Sequence, residues 1–199
     1  VVELVGGADT ESDDSLRERV LFRIQRPPMG GDADDYVAWA RALPGVTRAW
    51  CSPNELGVGT VTLRFMMDDL RATVGGYPND DDIAAVKTAL DAGRPVALKD
   101  FFVAAPIPEP IALTIANLDR VTPCIRSGIE VAIRAMLAER AAPARAEGGV
   151  ALPAQTIHRE WVSASILATT GVDYFDLDMA DHIMPHAGAM GALDSIVWA

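Results

Sequence analysis

Five residues near the end of the chain, Asp176, Asp178, Asp181, His182 and His186, are the cluster whose types could do chemistry. Imidazoles and carboxylates ligate zinc, and two histidines four apart share one face of a helix. A metal-dependent hydrolase built this way would centre on Asp178, His182 and His186. Two features oppose it: Pro185 lies between the histidines, and no glutamate follows His182 in the HExxH manner. A polar strand edge and loop is the better reading. Asp80, Asp81 and Asp82, with Asp68 and Asp69 upstream, raise calcium, but EF-hand ligands alternate and end in a bidentate glutamate. A capped helix start after a solvated loop fits them better. Gly57-Val58-Gly59 is a lone GxG; a dinucleotide site needs a third glycine and a helix at once, and here a strand follows. It reads as a hairpin turn. No serine sits in a GxSxG elbow.

Trp39, Trp50, Trp161 and Trp198 could form a glycan-binding stripe. Trp39 and Trp161, however, fall among apolar residues on amphipathic segments, which points to core packing. Cys51 and Cys124 are far apart, with no CxxC and no neighbouring histidine. Both are expected to be small buried hydrophobes in a reduced compartment.

These residues must be positioned by a chain of 199 residues, half of them hydrophobic and 23% charged, with a mean hydropathy of +0.16. That length carries one large or two small domains, and the composition is that of a folded protein. The net charge of -11 repels phosphate backbones and anionic membrane surfaces. Arg17, Arg19, Arg23 and Arg26 are spread along a helix and follow acids, so they make no basic patch. No apolar run approaches the roughly 18 residues that a membrane span needs, and no signal-peptide pattern opens the chain. Val1 to Val5 reads as the tail of a strand entering Gly6-Gly7, which suggests a piece of a longer protein.

Along the chain, an acidic stretch at Asp9–Asp14 leads into a helix with Leu16, Val20, Leu21 and Ile24 at helical spacing, stopped by Pro27-Pro28. A second helix runs from Ala33 to Leu43 behind an Asp32 cap, with Tyr36, Ala40 and Leu43 on one face beside Trp39, and Pro44-Gly45 ends it. Strands follow at Thr47–Cys51 and Thr60–Met67. The second alternates Val61, Leu63, Phe65 and Met67 with Thr60, Thr62, Arg64 and Met66, which predicts a half-buried strand. A third helix carries Ile83, Val86 and Leu90 and stops at Gly93. From Val96 to Leu118 the chain is extended, and Pro106, Pro108 and Pro110 predict two strands around a stiff bend, with no central strand there. Thr122-Pro123 opens a fourth helix with a stripe at Ile125, Ile129, Ala132, Ile133, Met136 and Leu137. Ala141–Pro153 reads as a loop, Thr156–Thr169 as a fifth helix, and Val172–Met179 and Asp194–Trp198 as strands.

The order predicts an α+β fold: two helices, then two small α/β sandwich subdomains ordered β-β-α-β and β-α-α-β-β, each with helices over one sheet face. The expected division is a helical segment at 1–45 continuing from an upstream region, a first subdomain at 46–106 and a second at 107–199, hinged near Pro106–Pro110.

Several of these pieces also stand together in a known family. The run Gly7-Ala8-Asp9-Thr10-Glu11-Ser12-Asp13-Asp14 precedes Leu16-Arg17-Glu18-Arg19. It is followed in register by Pro27-Pro28-Met29-Gly30-Gly31, Tyr36 with Trp39-Ala40, Pro44-Gly45-Val46 and Gly57-Val58-Gly59-Thr60-Val61. This arrangement resembles the baseplate J-like family of contractile-tail phages and prophages. Gly188–Trp198 is similar to the family's closing turn and strand, but Gly188-Ala189-Met190-Gly191 stands where the family reads like Gly-Glu-Leu-Pro. The resemblance marks Gly7, Asp9, Glu11, Asp13, Leu16, Arg17, Arg19, Pro28, Gly30, Gly31, Tyr36, Trp39, Pro44, Gly45, Val46, Gly57 and Gly59 as structural positions. It implies a virion tail protein assembled in the host cytoplasm, which joins baseplate wedges into a ring and passes a conformational change toward the sheath. The implied partners are other wedge proteins and copies of itself. No catalytic residue, cofactor, metal, small-molecule substrate, nucleic acid or membrane is implied.

Overall fold

The computed structural model describes residues 13–25, 30–93, 100–147, 150–151 and 155–199. The expected strand tail at 1–5, the family positions Gly7, Asp9, Glu11 and Pro28, the Pro27-Pro28 stop, the start of the extended segment at Val96, and Pro153 lie outside the described residues.

The chain has an α+β fold. Helix α1 (Asp13–Gln25) presents Leu16, Val20, Leu21 and Ile24 to solvent. Helix α2 (Ala33–Arg41) starts where the buried Asp35 carboxylate accepts the Gly31 amide and that of the N-cap Asp32, a donor that a helix start leaves open. Strands β1 (Arg48–Pro53) and β2 (Thr60–Met66) are antiparallel. Helix α3 (Asp80–Asp91) then crosses over to β3 (Asp100–Ala104), which pairs parallel to β2, giving a sheet ordered β1-β2-β3. A reciprocal cap starts α3: Asn79 Oδ1 accepts from Asp82 N, and Asp82 Oδ2 accepts from Asn79 N.

The second half opens with β4 (Ile107–Ala116) and helix α4 (Pro123–Arg140), whose first amides are met by Thr122 Oγ1 accepting from Ile125 N at 3.2 Å. Short strands β5 (Ala146–Glu147), β6 (Val150–Ala151) and β7 (Thr156–Ile157) precede helix α5 (Arg159–Leu167). Then come β8 (Asp176–Asp178), β9 (His182–Ile183) and β10 (Ala189–Trp198). The second sheet is ordered β10-β4-β8, with β4 parallel to β10 and antiparallel to β8. One core gathers Tyr36, Ala40, Val61, Leu63, Phe65, Val86, Leu90 and Phe101 between α2, α3 and the first sheet. The other packs Ile129, Ile133, Val162 and Ile166 of α4 and α5 against Ile111, Leu113 and Ile115 of β4. Each sheet therefore has its helices packed on one face.

Four expectations need correction. Strand β2 is not half-buried, because all seven of its residues are buried. Its odd face holds Val61, Leu63 and Phe65 in the first core, and Met66 on its even face joins the second core. Period-2 alternation assumes one face toward water, and here the second half of the molecule occupies that face. Pro108 and Pro110 do lie in the middle strand of a sheet. The Ile107 amide donates to Gly188 O at 2.8 Å, so odd-numbered amides face β10 and the two proline nitrogens face the other way. On that side β8 pairs only with Thr114, Ile115 and Ala116. No ladder bond is lost.

The third correction concerns the order of the second half. The segment read as a loop contains the β5–β6 hairpin, Thr156–Ile157 is a strand paired with β9 where helix had been expected, β8 is shorter than expected and β10 longer. The order is β-α-β-β-β-α-β-β-β. Two-residue strands carry no periodicity to read. Fourth, Cys51 is buried but Cys124 is exposed, since Cys124 lies beside the Ile125–Ile129–Ile133 stripe and not on it. Burial pushes the Cys51 thiol up to about 12, with Arg145 opposing the rise only in part. Iodoacetamide should therefore modify Cys124 alone in the folded protein and both cysteines after denaturation, as read by peptide mass spectrometry.

Candidate functional site

The acid and histidine residues near the C-terminus do not converge. His182 lies on a two-residue strand, not a helix, and its Nε2 is 3.4 Å from Glu109 of β4. His186, beyond Pro185, has Nδ1 3.3 Å from the Ala187 carbonyl oxygen. Asp176 accepts from Asn117 Nδ2 at 2.7 Å and from the Tyr174 hydroxyl at 2.9 Å. Asp178 stands exposed at the end of β8. Asp181 accepts the Arg159 amide at 2.8 Å and lies 2.9 Å from His158 Nδ1. Those two bonds, the amide first, hold its carboxyl below the usual range. This dispersal gives no support to a hydrolase centred on Asp178, His182 and His186.

Among the described residues, the group that could hold a cation is His158, Glu160 and Asp181, with ligand atoms within 4.8 Å of one another. His158 was not among the sequence candidates. It lies 23 residues from Asp181, and only the β7–β9 pairing brings the two together. Asp181 is already occupied in capping α5. Two of the five calcium candidates, Asp68 and Asp82, are likewise engaged. Arg71 grips both oxygens of Asp82 at 2.8 Å, and Arg48 grips both oxygens of Asp68. All four tryptophans are partly buried, Trp39 against the first core and Trp50, Trp161 and Trp198 against the second, which agrees with a packing role for Trp39 and Trp161.

What converges is the seam between the halves. Arg64, on the even face of β2, makes two 2.7 Å bonds to the carboxylate of Glu55, which projects from the β1–β2 turn. Both side chains are more than nine-tenths buried. The guanidinium lies against Gly188 at the entry to β10: a Cβ built there would meet three of its atoms at 2.7–2.9 Å. Gly188 has φ +82 and is fixed by bonds from its amide to Ala144 O and from Ile107 N to its own carbonyl. Arg48 makes a second crossing, holding Asp68 within its own half and donating to the Ala138 carbonyl of α4 at 2.9 Å. Beside it, Met66, Tyr77, Leu137 and Met190 line a cleft of about 200 Å³.

Burial pushes the Asp68 carboxyl up, but bonds from Arg48 and Thr47 outweigh it, and the net shift is downward. A depressed folded pKa gives stability that is complete above the unfolded value of about 3.9 and is lost as pH falls through the folded one. Denaturation midpoints should therefore fall with acid below about pH 4, and Asp68→Asn should flatten that fall.

The other positions that the resemblance marked fall on the exposed helix α1, in turns and in the first core. Asp13, Leu16, Arg17 and Arg19 lie on α1, where Arg17 pairs with Asp14 at 2.6 Å. Gly30 and Gly31 turn the chain into α2 with φ +78 and +130. Tyr36 packs edge-on to Trp39 at 5.1 Å. Pro44-Gly45-Val46 leads into β1; at Gly45 a Cβ would strike Met67 Cε at 2.5 Å. Gly57 and Gly59 close the β1–β2 turn as expected, where Asn54 Oδ1 accepts the Gly59 amide.

Residues 28–105, spanning α2 and the whole first sheet, match the Baseplate J-like central domain. The chain is 34% identical over 182 residues to baseplate protein gp47 of Escherichia phage Mu, covering 86% of this chain and 46% of that protein. The chain belongs to the baseplate J-like family. A second family relative, the Mu-like prophage FluMu protein gp47 of Haemophilus influenzae, is 35% identical over 143 residues, 67% of this chain and 39% of its own length. The chain thus spans less than half the length of these relatives. Its fold recurs, at 11% identity and a TM-score of 0.55, in the cryo-EM structure of the anti-feeding prophage baseplate, 6-fold symmetrised. That match covers 96% of this baseplate J-like chain and 43% of the other.

Proposed function

We propose that the chain is part of a structural protein of a phage or prophage contractile-tail baseplate, working as a non-catalytic scaffold in the virion tail. It joins neighbouring wedge subunits, contacting other wedge proteins and copies of itself, and it assembles in the host cytoplasm. One observation carries the reading. Among the described residues, the buried charged side chains are used internally: Arg64 and Glu55 neutralise each other where Gly188 of the second half packs on them, Asp35 starts a helix, and none of the three lines the clefts at the seam. The phage Mu relative, named as a baseplate protein, supports the same role. The family-marked glycines, prolines and apolar residues then serve as shape-setting positions, and the chain divides into a helical segment at 1–45, a first subdomain at 46–106 and a second at 107–199, hinged near Pro106–Pro110.

Deleting the coding sequence should leave sheaths and tubes without assembled baseplates in electron micrographs of induced lysates, and supplying the full-length protein should restore them. Intact, contracting tails in the deletion strain would refute the proposal.

A further inference from the structure

A groove on the seam carries charge opposite to that of the molecule as a whole. One wall is α2 with β1, and the other is the last turn of α4 with residues 141–145. Two adjoining cavities of about 260 and 230 Å³ share Val37, Ala49, Trp50 and Ala142 as lining. Arg41, Arg48 and Arg140 border the first and Arg145 the second; the acids on the rim are Glu139 and Asp34. Arg48 is held by Asp68 and the Ala138 carbonyl, and Arg140 lies 5.1 Å over the Trp161 ring. Arg41 and Arg145 are different. Among the described residues, neither guanidinium has a hydrogen bond or an ion pair, and both residues are exposed. In a chain with eleven excess negative charges, two unpaired arginines flanking one apolar floor are a local inversion of charge.

We propose that this groove docks an acidic peptide segment of a partner protein, with Arg41 and Arg145 taking its carboxylates and the Val37–Trp50 floor taking an apolar side chain between them. Guanidinium presents a fork of donors that matches a carboxylate, and a partly buried tryptophan offers apolar area already ordered before binding. A peptide suits the site better than a nucleic acid does. The inversion is local, and a continuous phosphate backbone would run beyond it onto an acidic surface. Because the groove lies between the halves, its occupant would also brace α2 against α4. The inference rests on the assembly reading only for the partner being a protein. Its test uses the isolated protein and so can fail while baseplate assembly is still lost on deletion.

The probe is a fluorescein-labelled peptide of alternating glutamate and leucine, titrated with the purified protein and followed by fluorescence anisotropy. The expected result is saturable binding that weakens as salt is raised. Arg41→Ser with Arg145→Ser should weaken it by at least about tenfold while leaving the melting temperature unchanged, since both side chains are exposed and unpaired. The inference is overturned by absent binding, by equal binding of a glutamine-leucine peptide, or by unchanged affinity in the double variant. Tighter binding of a single-stranded oligonucleotide than of the peptide would overturn it too.

Discussion

Glu55→Ala should destabilise the protein by about 3–5 kcal/mol, more than any substitution of a surface charge, with the loss read as a lower urea midpoint at constant slope. Arg64 would keep its charge inside the seam with nothing to neutralise it, because water cannot reach a guanidinium that is more than nine-tenths buried. Its Nε already has no partner among the described residues, so the two bonds to Glu55 are what make the burial tolerable. The double variant Glu55→Leu with Arg64→Met tests whether the pair or only its neutralisation matters. It should recover most of the lost stability, since apolar replacement of a buried pair is often neutral or better. If the double variant is as unstable as the single one, the seam depends on the bidentate geometry itself. If Glu55→Ala costs less than about 1 kcal/mol, the value of an exposed surface pair, the pair is solvated in solution and the seam is open there.

Gly188→Ala should destabilise the protein by about 2–4 kcal/mol, measured in the same urea titration. Two costs coincide at this residue. A φ of +82 lies in the left-handed region, where an L side chain costs about 1–2 kcal/mol. The added methyl would also stand 2.7–2.9 Å from three atoms of the Arg64 guanidinium and so push the ion pair out of register. A double-mutant cycle separates the two. In the background lacking both Glu55 and Arg64 charges, only the backbone cost should remain, leaving a coupling of about 1–2 kcal/mol. Additive effects would mean that Gly188 matters for its turn alone. Gly45→Ala is the natural comparison. There a Cβ would meet the flexible end of Met67, which can swing aside more easily than a paired guanidinium in a buried seam.

Helices with strong local signals were legible without a structure. Thr122-Pro123 followed by the Ile129–Ile133–Leu137 stripe became α4 with those side chains buried. The Asn79–Asp82 start and the Gly57–Gly59 turn are likewise short-range patterns, decided by residues three to five apart. The α+β class follows from such pieces taken in order. The family resemblance also lay in the turn residues, because glycines and prolines at fixed offsets record backbone geometry directly.

Tertiary structure alone decided which polar residues matter. Nothing local distinguishes Arg64 from an outward-facing arginine on an alternating strand; it is buried because the second half of the chain packs over β2, and Gly188 reaches it from 124 positions away in sequence. His158 meets Asp181 only through the β7–β9 pairing, and Pro108 is tolerated only because β8 ends short of it. Periodicity reports which face of an element is apolar, and it is silent on what comes to lie against the other face. Here that other face holds the contacts that join the two halves, so the sequence by itself determined the parts and the turns between them, while long-range packing determined how they are fastened.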